Sequence, residues 1–356
     1  MITRPTPALV SLAAALLSML AIVTLEPGCG ESAPSTEGTG VPGAERYAPV
    51  TIRHSDPANA GVLAYGKRER IYERELAKVN ARIEWVPAVG AFSANFDAMN
   101  SGAINAASAA ISPIVGALSR NLQFQIYSIS DPGSTQLAGI LSPRGSDIRT
   151  VRDLVGHRVA VNLGAHGDYM LLRALQNEGI PADRVTRVPI QPPDAAAAFA
   201  TGQIDAWSVF GAYYTTAVRN GANVIVREED LRSDDVGVSA ANVELLRRNP
   251  AAFQTFLRVT QELVELAHQH PERFQNVFTS RGPTAISGEE LQIAIDDTRR
   301  LPLPRVPTAN DRTRIANVAQ LLYANDSLDR EIAVDEIVFD LDAAAGTLAL
   351  AEEAAR

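Results

Sequence analysis

Three stretches of this 356-residue chain place small residues beside hydroxyl, amide or imidazole groups, each where a β-strand is expected to give way to a helix. They are Ser55-Asp56-Pro57-Ala58-Asn59, Ser108-Ala109-Ala110-Ile111-Ser112 and Gly164-Ala165-His166-Gly167-Asp168-Tyr169. Small side chains at such a turn let a ligand approach the backbone, and the first turn of a helix presents unpaired N–H groups at the positive end of its dipole. The chemistry these residues support is capture of an anionic head group by amides and hydroxyls, with no bond made or broken. Small residues also serve tight packing at such turns, so each stretch alone is a weak signal.

Residues for catalysis are sparse. No G-x-S-x-G elbow, H-E-x-x-H pair or P-loop lysine pattern occurs. His268 and His270 stand two apart before Pro271, so on a regular helix they diverge by about 200° and read as solvated histidines. The adjacent carboxylates Glu228-Glu229, Asp234-Asp235 and Asp296-Asp297 read as solvated loop or helix faces. Cys29 is the only cysteine, which excludes an internal disulfide and a cysteine-based metal cluster. Gly38, Gly40 and Gly43 form a G-x-G-x-x-G with no strand before it and no helix after it, and no cofactor is expected.

The elements that must position these groups follow from composition and pattern. A 46% hydrophobic chain can bury a substantial core, and a net charge of -9 gives no long-range attraction for nucleic acid. Arg4 followed by an apolar run from Ala8 to Leu25 reads as an export signal, with residues 1–29 ending at Cys29. Residues 30–48, rich in Ser, Thr, Gly, Pro and Glu, read as a disordered tether. From Val50 onward, short apolar runs alternate with amphipathic stretches, the pattern of an α/β chain with parallel sheets covered by helices. Strands are expected near 50–54, 82–86, 104–108, 123–128 and 136–141 in one lobe, and near 158–161, 187–190, 206–209 and 224–226 in a second. A strand near 236–240 and a helical C-terminal part then return to the first lobe. This assigns 49–142 and 238–356 to lobe 1 and 143–237 to lobe 2, joined by a two-segment hinge near 142–145 and 235–239. No internal sequence repeat is evident.

Read with their flanks, these loops resemble the aliphatic-sulfonate, taurine and nitrate binding proteins of ABC importers. The likeness runs from about Val50 to Val338 and is best at Met99-Asn100-Ser101-Gly102-Ala103-Ile104-Asn105 with Ser112-Pro113, and at Ile148 to Val161. Gln191-Pro192-Pro193-Asp194-Ala195 and Gly202-Gln203-Ile204-Asp205-Ala206-Trp207 match the connection into a strand carrying a ligand-facing aromatic. The resemblance implies a type II periplasmic-binding-protein fold and a monomeric, non-enzymatic solute binder that closes on a small anionic or zwitterionic, sulfonate-like ligand. Its partners would be an ABC permease and its ATPase.

Lobe 1 would contribute Ser55, Asn59, Ser108 and Ser112, and lobe 2 Gly164, Ala165, His166, Gly167 and Phe210. Trp207 and Phe210 match the family's aromatic positions, although alternation along the strand also allows Trp207 a place in the core. The family's hydroxyl residues after the glycine turn are missing here, which leaves backbone N–H groups and His166 as donors. Asp168 either belongs to the helix's first turn or faces the cleft and pairs with an amine. Cys29 after Gly28 resembles a lipoprotein acylation site and would tether the protein to a membrane, whereas Glu26 and Pro27 depart from that pattern. The same fold also carries chorismate-dehydrating and pyrimidine-precursor-forming enzymes and suits sensory subunits; an export signal argues against the cytosolic enzymes.

Overall fold

The computed structural model describes residues 41, 43–87, 92–131, 137–282 and 284–354, all of one compact unit. The apolar run and Cys29 lie outside the described residues. The end of the expected tether is ordered rather than loose: a helical turn at Ala44–Arg46 buries Ala44. The carbonyls of Tyr47 and Ala48 accept hydrogen bonds from Asn80 Nδ2 at 2.7 Å and Asn249 Nδ2 at 2.8 Å. Two buried or half-buried amides thereby dock a stretch whose composition alone suggested disorder.

Among the described residues the strands form two five-stranded sheets. The first contains β1 (Val50–Ser55), β2 (Ala81–Val86), β3 (Ala106–Ala110), β4 (Phe124–Ile129) and a late strand, β10 (Gly237–Asn242), in the order β2-β1-β3-β10-β4. The second contains β5 (Ala138–Ser142), β6 (Arg158–Val161), β7 (Thr186–Pro189), β8 (Ala206–Phe210) and β9 (Asn223–Arg227), in the order β7-β6-β8-β5-β9. The two orders are equivalent. Each sheet has parallel neighbours at one end and receives one antiparallel strand, β10 between β3 and β4, β5 between β8 and β9. The architecture therefore repeats where the sequence does not.

This pairing corrects one expected boundary. β5 was assigned with the first lobe, but it pairs with β8 and β9, so the chain passes to the second sheet before Ala138 rather than at 142–145. Pro143 and Gly145, which look like a break between lobes, form a turn within the second half, where the Pro143 carbonyl accepts Ser146 N–H. All five residues of β5 are buried, as expected of a strand covered on both faces.

The helices of the first half are α1 (Val62–Arg68), α2 (Ile71–Ala77), α3 (Phe96–Asn100) and α4 (Ile111–Ser119). The second half has α5 (His166–Asn177), α6 (Pro192–Ala200) and α7 (Gly211–Arg219). After β10 come α8 (Val243–Arg248), α9 (Pro250–Gln269), α10 (Gly288–Thr298), α11 (Ala309–Tyr323), α12 (Val334–Ile337) and α13 (Leu341–Ala354). One face of the first sheet packs on α1, α2 and α9 through Tyr72, Leu76, Phe253 and Phe256, and the other on α4 and α11 through Ile114, Val115, Ile315 and Val318. In the second sheet α5 covers one face through Met170 and Leu171, and α6 and α7 cover the other through Phe199 and Tyr214.

The two halves share a core at α5. Tyr169 and Leu172 leave their own half and enter the cluster built by α4 and α11. α4 and the turn before α5 lie so close that a Cβ on Gly116 would stand 2.1 Å from the Gly164 carbonyl oxygen. Gly164 itself has φ +68 and faces the Ser327 carbonyl, so neither glycine tolerates a side chain without displacing backbone. We expect Gly116→Ala to destabilise the protein by about 1–3 kcal/mol. Gly237→Ala, where the added carbon meets only Ser130 Cβ at 4.0 Å, should be near neutral by comparison. Urea denaturation of the two variants beside the parent checks this.

Candidate functional site

The three strand-to-helix junctions occupy the carboxyl ends of β1, β3 and β6, but most of their polar groups are already partnered. Asn59 is a clamp: its Nδ2 donates to the Thr279 and Thr284 carbonyls at 2.9 and 3.0 Å, and its Oδ1 accepts the Phe278 and Thr279 N–H groups. Its side chain is fully engaged with Phe278, Thr279 and Thr284, which leaves no free donor or acceptor for a ligand. Ser55 is half-buried at the end of β1, where its carbonyl accepts His54 Nδ1.

At the third junction the turn closes on itself. Ala165 is the buried N-cap of α5, and its N–H donates to the Asn162 carbonyl. Gly167 N–H donates to Asn162 Oδ1 at 2.8 Å, and Gly164 N–H to Asp168 Oδ2 at 3.0 Å. Asp168 is wholly buried and does not face a cleft. Its other oxygen accepts Arg187 Nη1 at 3.1 Å, and the same guanidinium reaches Ser327 Oγ at 2.6 Å and the Asn325 carbonyl. Arg187, from β7, thus ties the α5 turn to the segment after α11. The amine-pairing role considered for Asp168 is overturned, because a carboxylate this buried needs the counter-ion it already has.

His166 is the first residue of α5. Its Nδ1 lies 2.8 Å from Asp235 Oδ2, its Nε2 3.3 Å from Glu228 Oε2, and Phe210 presses edge-on against it at 5.1 Å. Burial opposes charge on the imidazole, but the carboxylates of Glu228 and Asp235 outweigh it and push its pKa up to about 10. Asp235 also accepts Ser112 N–H at 2.7 Å and Ser112 Oγ–H at 2.5 Å. Glu228 and Asp235, read from the sequence as solvated, are both buried. Doublets of acids look like surface, and the signal that would have separated Glu228 and Asp235 from Glu229 and Asp234 is three-dimensional.

Serine, histidine and aspartate meet here, but not as a nucleophile relay. The hydroxyl donates to the carboxylate rather than to the imidazole, and the second ring nitrogen faces Glu228, so nothing activates Ser112 Oγ. The cluster joins α4 of the first half to α5 of the second through the segment before β10.

Beside it, at the carboxyl ends of β3 and β4, the first half carries an open cavity of about 420 Å³. Val62, Leu63, Val238, Phe256, Val264 and Leu301 form apolar walls, while the hydroxyls of Ser108, Ser130, Ser239 and Thr260, the carboxylates of Asp131 and Asp297 and the guanidinium of Arg300 supply polar groups. Ser108 and Ser239 face each other across the β3–β10 pair, their hydroxyl oxygens 3.5 Å apart. Ser108 is the one predicted site residue that lines it. Leu301, Pro302 and Pro304 form one side of it, in a segment held by reciprocal backbone hydrogen bonds between Ile129 and Arg305 and by His268 Nε2 2.7 Å from the Leu301 carbonyl. His268 is therefore half-buried and engaged rather than solvated. Arg305 in turn bonds Asp311 and reaches Asp131 at 2.9 Å. Trp207 points away from both features. It is buried against Phe199 and Tyr213 on the α6/α7 side of the second sheet, where the three also line a separate cavity.

Two α/β halves with equivalent sheets, joined by two crossings beside a cavity, define the class of fold. Residues 93–274 match the family described as NMT1/THI5 like, and the chain belongs to that family. A protein of Bacillus subtilis (strain 168) with the provisional name aliphatic sulfonates-binding protein is 24% identical over 91% of this chain and 93% of its own. One of Escherichia coli (strain K12) with the same provisional name is 31% identical over 47% of this chain, a match that spans only about half of that relative, 51%. The solved structure of the alkanesulfonate-binding protein SsuA from Xanthomonas axonopodis pv. citri, bound to MOPS, superposes with a TM-score of 0.70 at 22% identity, covering 82% of this chain and 99% of that one. The desulfurization enzyme DSZB shares the fold more distantly, with a TM-score of 0.56 at 17% identity over 83% of this chain and 99% of its own.

The charge on His166 makes stability depend on pH. Its folded-state pKa of about 10 lies above the ordinary 6.5, so the stabilisation is complete below about pH 6.5 and is lost as pH rises through about 10. His166→Gln, which removes the cation between Asp235 and Glu228, is expected to cost about 3–5 kcal/mol near neutral pH. The variant should also lose much of the decline in stability between those limits, measured by denaturation across pH 6 to 10.

Proposed function

We propose that this protein is the exported solute-binding component of an ABC importer. It captures a small organic solute, sulfonate-like and carrying an acid or zwitterionic group, by closure of its two lobes, and passes it unchanged to a permease and its ATPase. The observation that carries this reading is the cavity at the strand ends of the first sheet, large enough for a small organic body and mixed in lining. Family membership and the provisionally named sulfonate-binding relatives support the same reading. In it the apolar walls take the solute's body, and the hydroxyls of Ser108 and Ser239 with Arg300 at the mouth take its polar end. Ser55 and Phe210, near the junctions, complete the contacts on closure.

Within this reading the protein works as a monomer at the outer face of a membrane, held by a lipid on Cys29. Cys29→Ala should then move it from the membrane fraction to the soluble one; an unchanged distribution removes the anchor.

A thermal-shift series with alkanesulfonates of increasing length, taurine and nitrate tests the solute class. A solute at a hundred times its Kd adds about 2.7 kcal/mol to stability. Ser108→Phe, which fills the cavity from β3, should abolish that gain while leaving the unliganded protein folded. Recovery of the compound chemically unchanged after incubation separates binding from turnover of the kind that the fold's enzymes carry out.

A further inference from the structure

A carboxylate of the chain itself stands where two helices from different halves converge. Asp235 Oδ1 accepts the N–H of Ser112, in the first turn of α4, at 2.7 Å. Asp235 Oδ2 accepts the Ser112 hydroxyl at 2.5 Å and Nδ1–H of His166, the first residue of α5, at 2.8 Å. Ser112 is wholly buried and Asp235 nearly so. A backbone amide, a hydroxyl and an imidazole, reaching in from two helix starts, are donors suited to a ligand's acid group.

We propose that Asp235 is a built-in anion and a specificity-determining residue. Its carboxylate fills the cradle, clasps α4 to α5 without any solute, and bars an incoming acid group from that point. The proposal rests on the reading of the protein as a solute binder and refines it: the solute's charged end must find its partners elsewhere, on the cavity side. Local charge supports the exclusion. Glu228 stands on the other side of the imidazole at 3.3 Å, a second carboxylate close by that disfavours a further anion at this point. Two neighbouring donors are likewise committed within the chain, Gly164 N–H to Asp168 and Gly167 N–H to Asn162.

The test is rescue by a small anion in the purified protein. Asp235→Ala empties the cradle and should lower the melting temperature, and methanesulfonate or acetate should restore part of the loss. Dimethyl sulfone, the uncharged analogue, should not. Methanesulfonate is too short to fill the apolar cavity, so the parent protein should respond at least about tenfold more weakly in apparent Kd than the variant. Asp235→Asn, which keeps the space filled, should gain nothing. Should Asp235→Ala fail to fold, Asp235→Ser leaves room for the anion and serves in its place. Equal response of parent and emptied variants, or no response in either, overturns the proposal. Because the probes are methanesulfonate and acetate, this outcome is read whether or not any solute of the screen binds, and failure of the screen leaves it standing.

Discussion

The contact between the turn that leads into α5 and the body of α4 is the constraint on which the rest of the molecule depends. It requires a glycine on each side, and it brings the buried rings and chains of Tyr169 and Leu172 into the core of the other half. Full burial of such side chains is worth about 1.5–3 kcal/mol each, so pulling the halves apart at α5 costs several kcal/mol before any polar contact is counted. A motion that keeps this contact and varies the gap elsewhere is much cheaper. The halves are therefore joined through a shared apolar post at α5, in addition to the two chain crossings.

Polar groups around the post are arranged to fit it. Arg187 with Asp168 on one side, and His166 with Asp235 and Glu228 on the other, place charges where water is excluded. Buried pairs of this kind contribute little compared with apolar packing of the same volume, yet each partner is costly to leave alone. Their effect is on register: α5 can sit on α4 and α11 only where Asp235 meets both Ser112 and His166, and where Arg187 meets Asp168 and Ser327 together. The donors that a sequence reading offers to a ligand are the same groups that hold this register.

Strands and amphipathic helices were legible in the chain because one buried face leaves a period of two or near 3.6, and most of the expected strands fall within a residue or two of those observed. α4 left no such trace, since all nine of its residues are buried and a helix apolar all round has no alternation to read. β5 was recognised as a strand but placed in the wrong half, because pairing partners far along the chain decide the sheet and no local pattern encodes them. At the site, Ser108 was found from its position at a strand end, and Trp207 was divided between cleft and core by an alternation that cannot say which face is which. Asp235, Glu228 and Arg187 were invisible for a common reason. Each is polar, lies in or beside a loop, and becomes buried only through a partner from a different element.

The equivalent strand orders of the two sheets explain why the site lies where it does. In each half the antiparallel strand is the one that has just crossed from, or is about to follow, the other half, so both crossings run into the middle of a sheet rather than its edge. β10 enters the first sheet beside β3, with Asp235 before it and Gly237, Val238 and Ser239 on the cavity wall. The same short segment therefore carries the clasp between the halves and one side of the solute cavity. Ser239 on the cavity wall stands four residues from the carboxylate joining α4 to α5, so in the proposed reading a link between solute and closure need pass through nothing longer than that strand end.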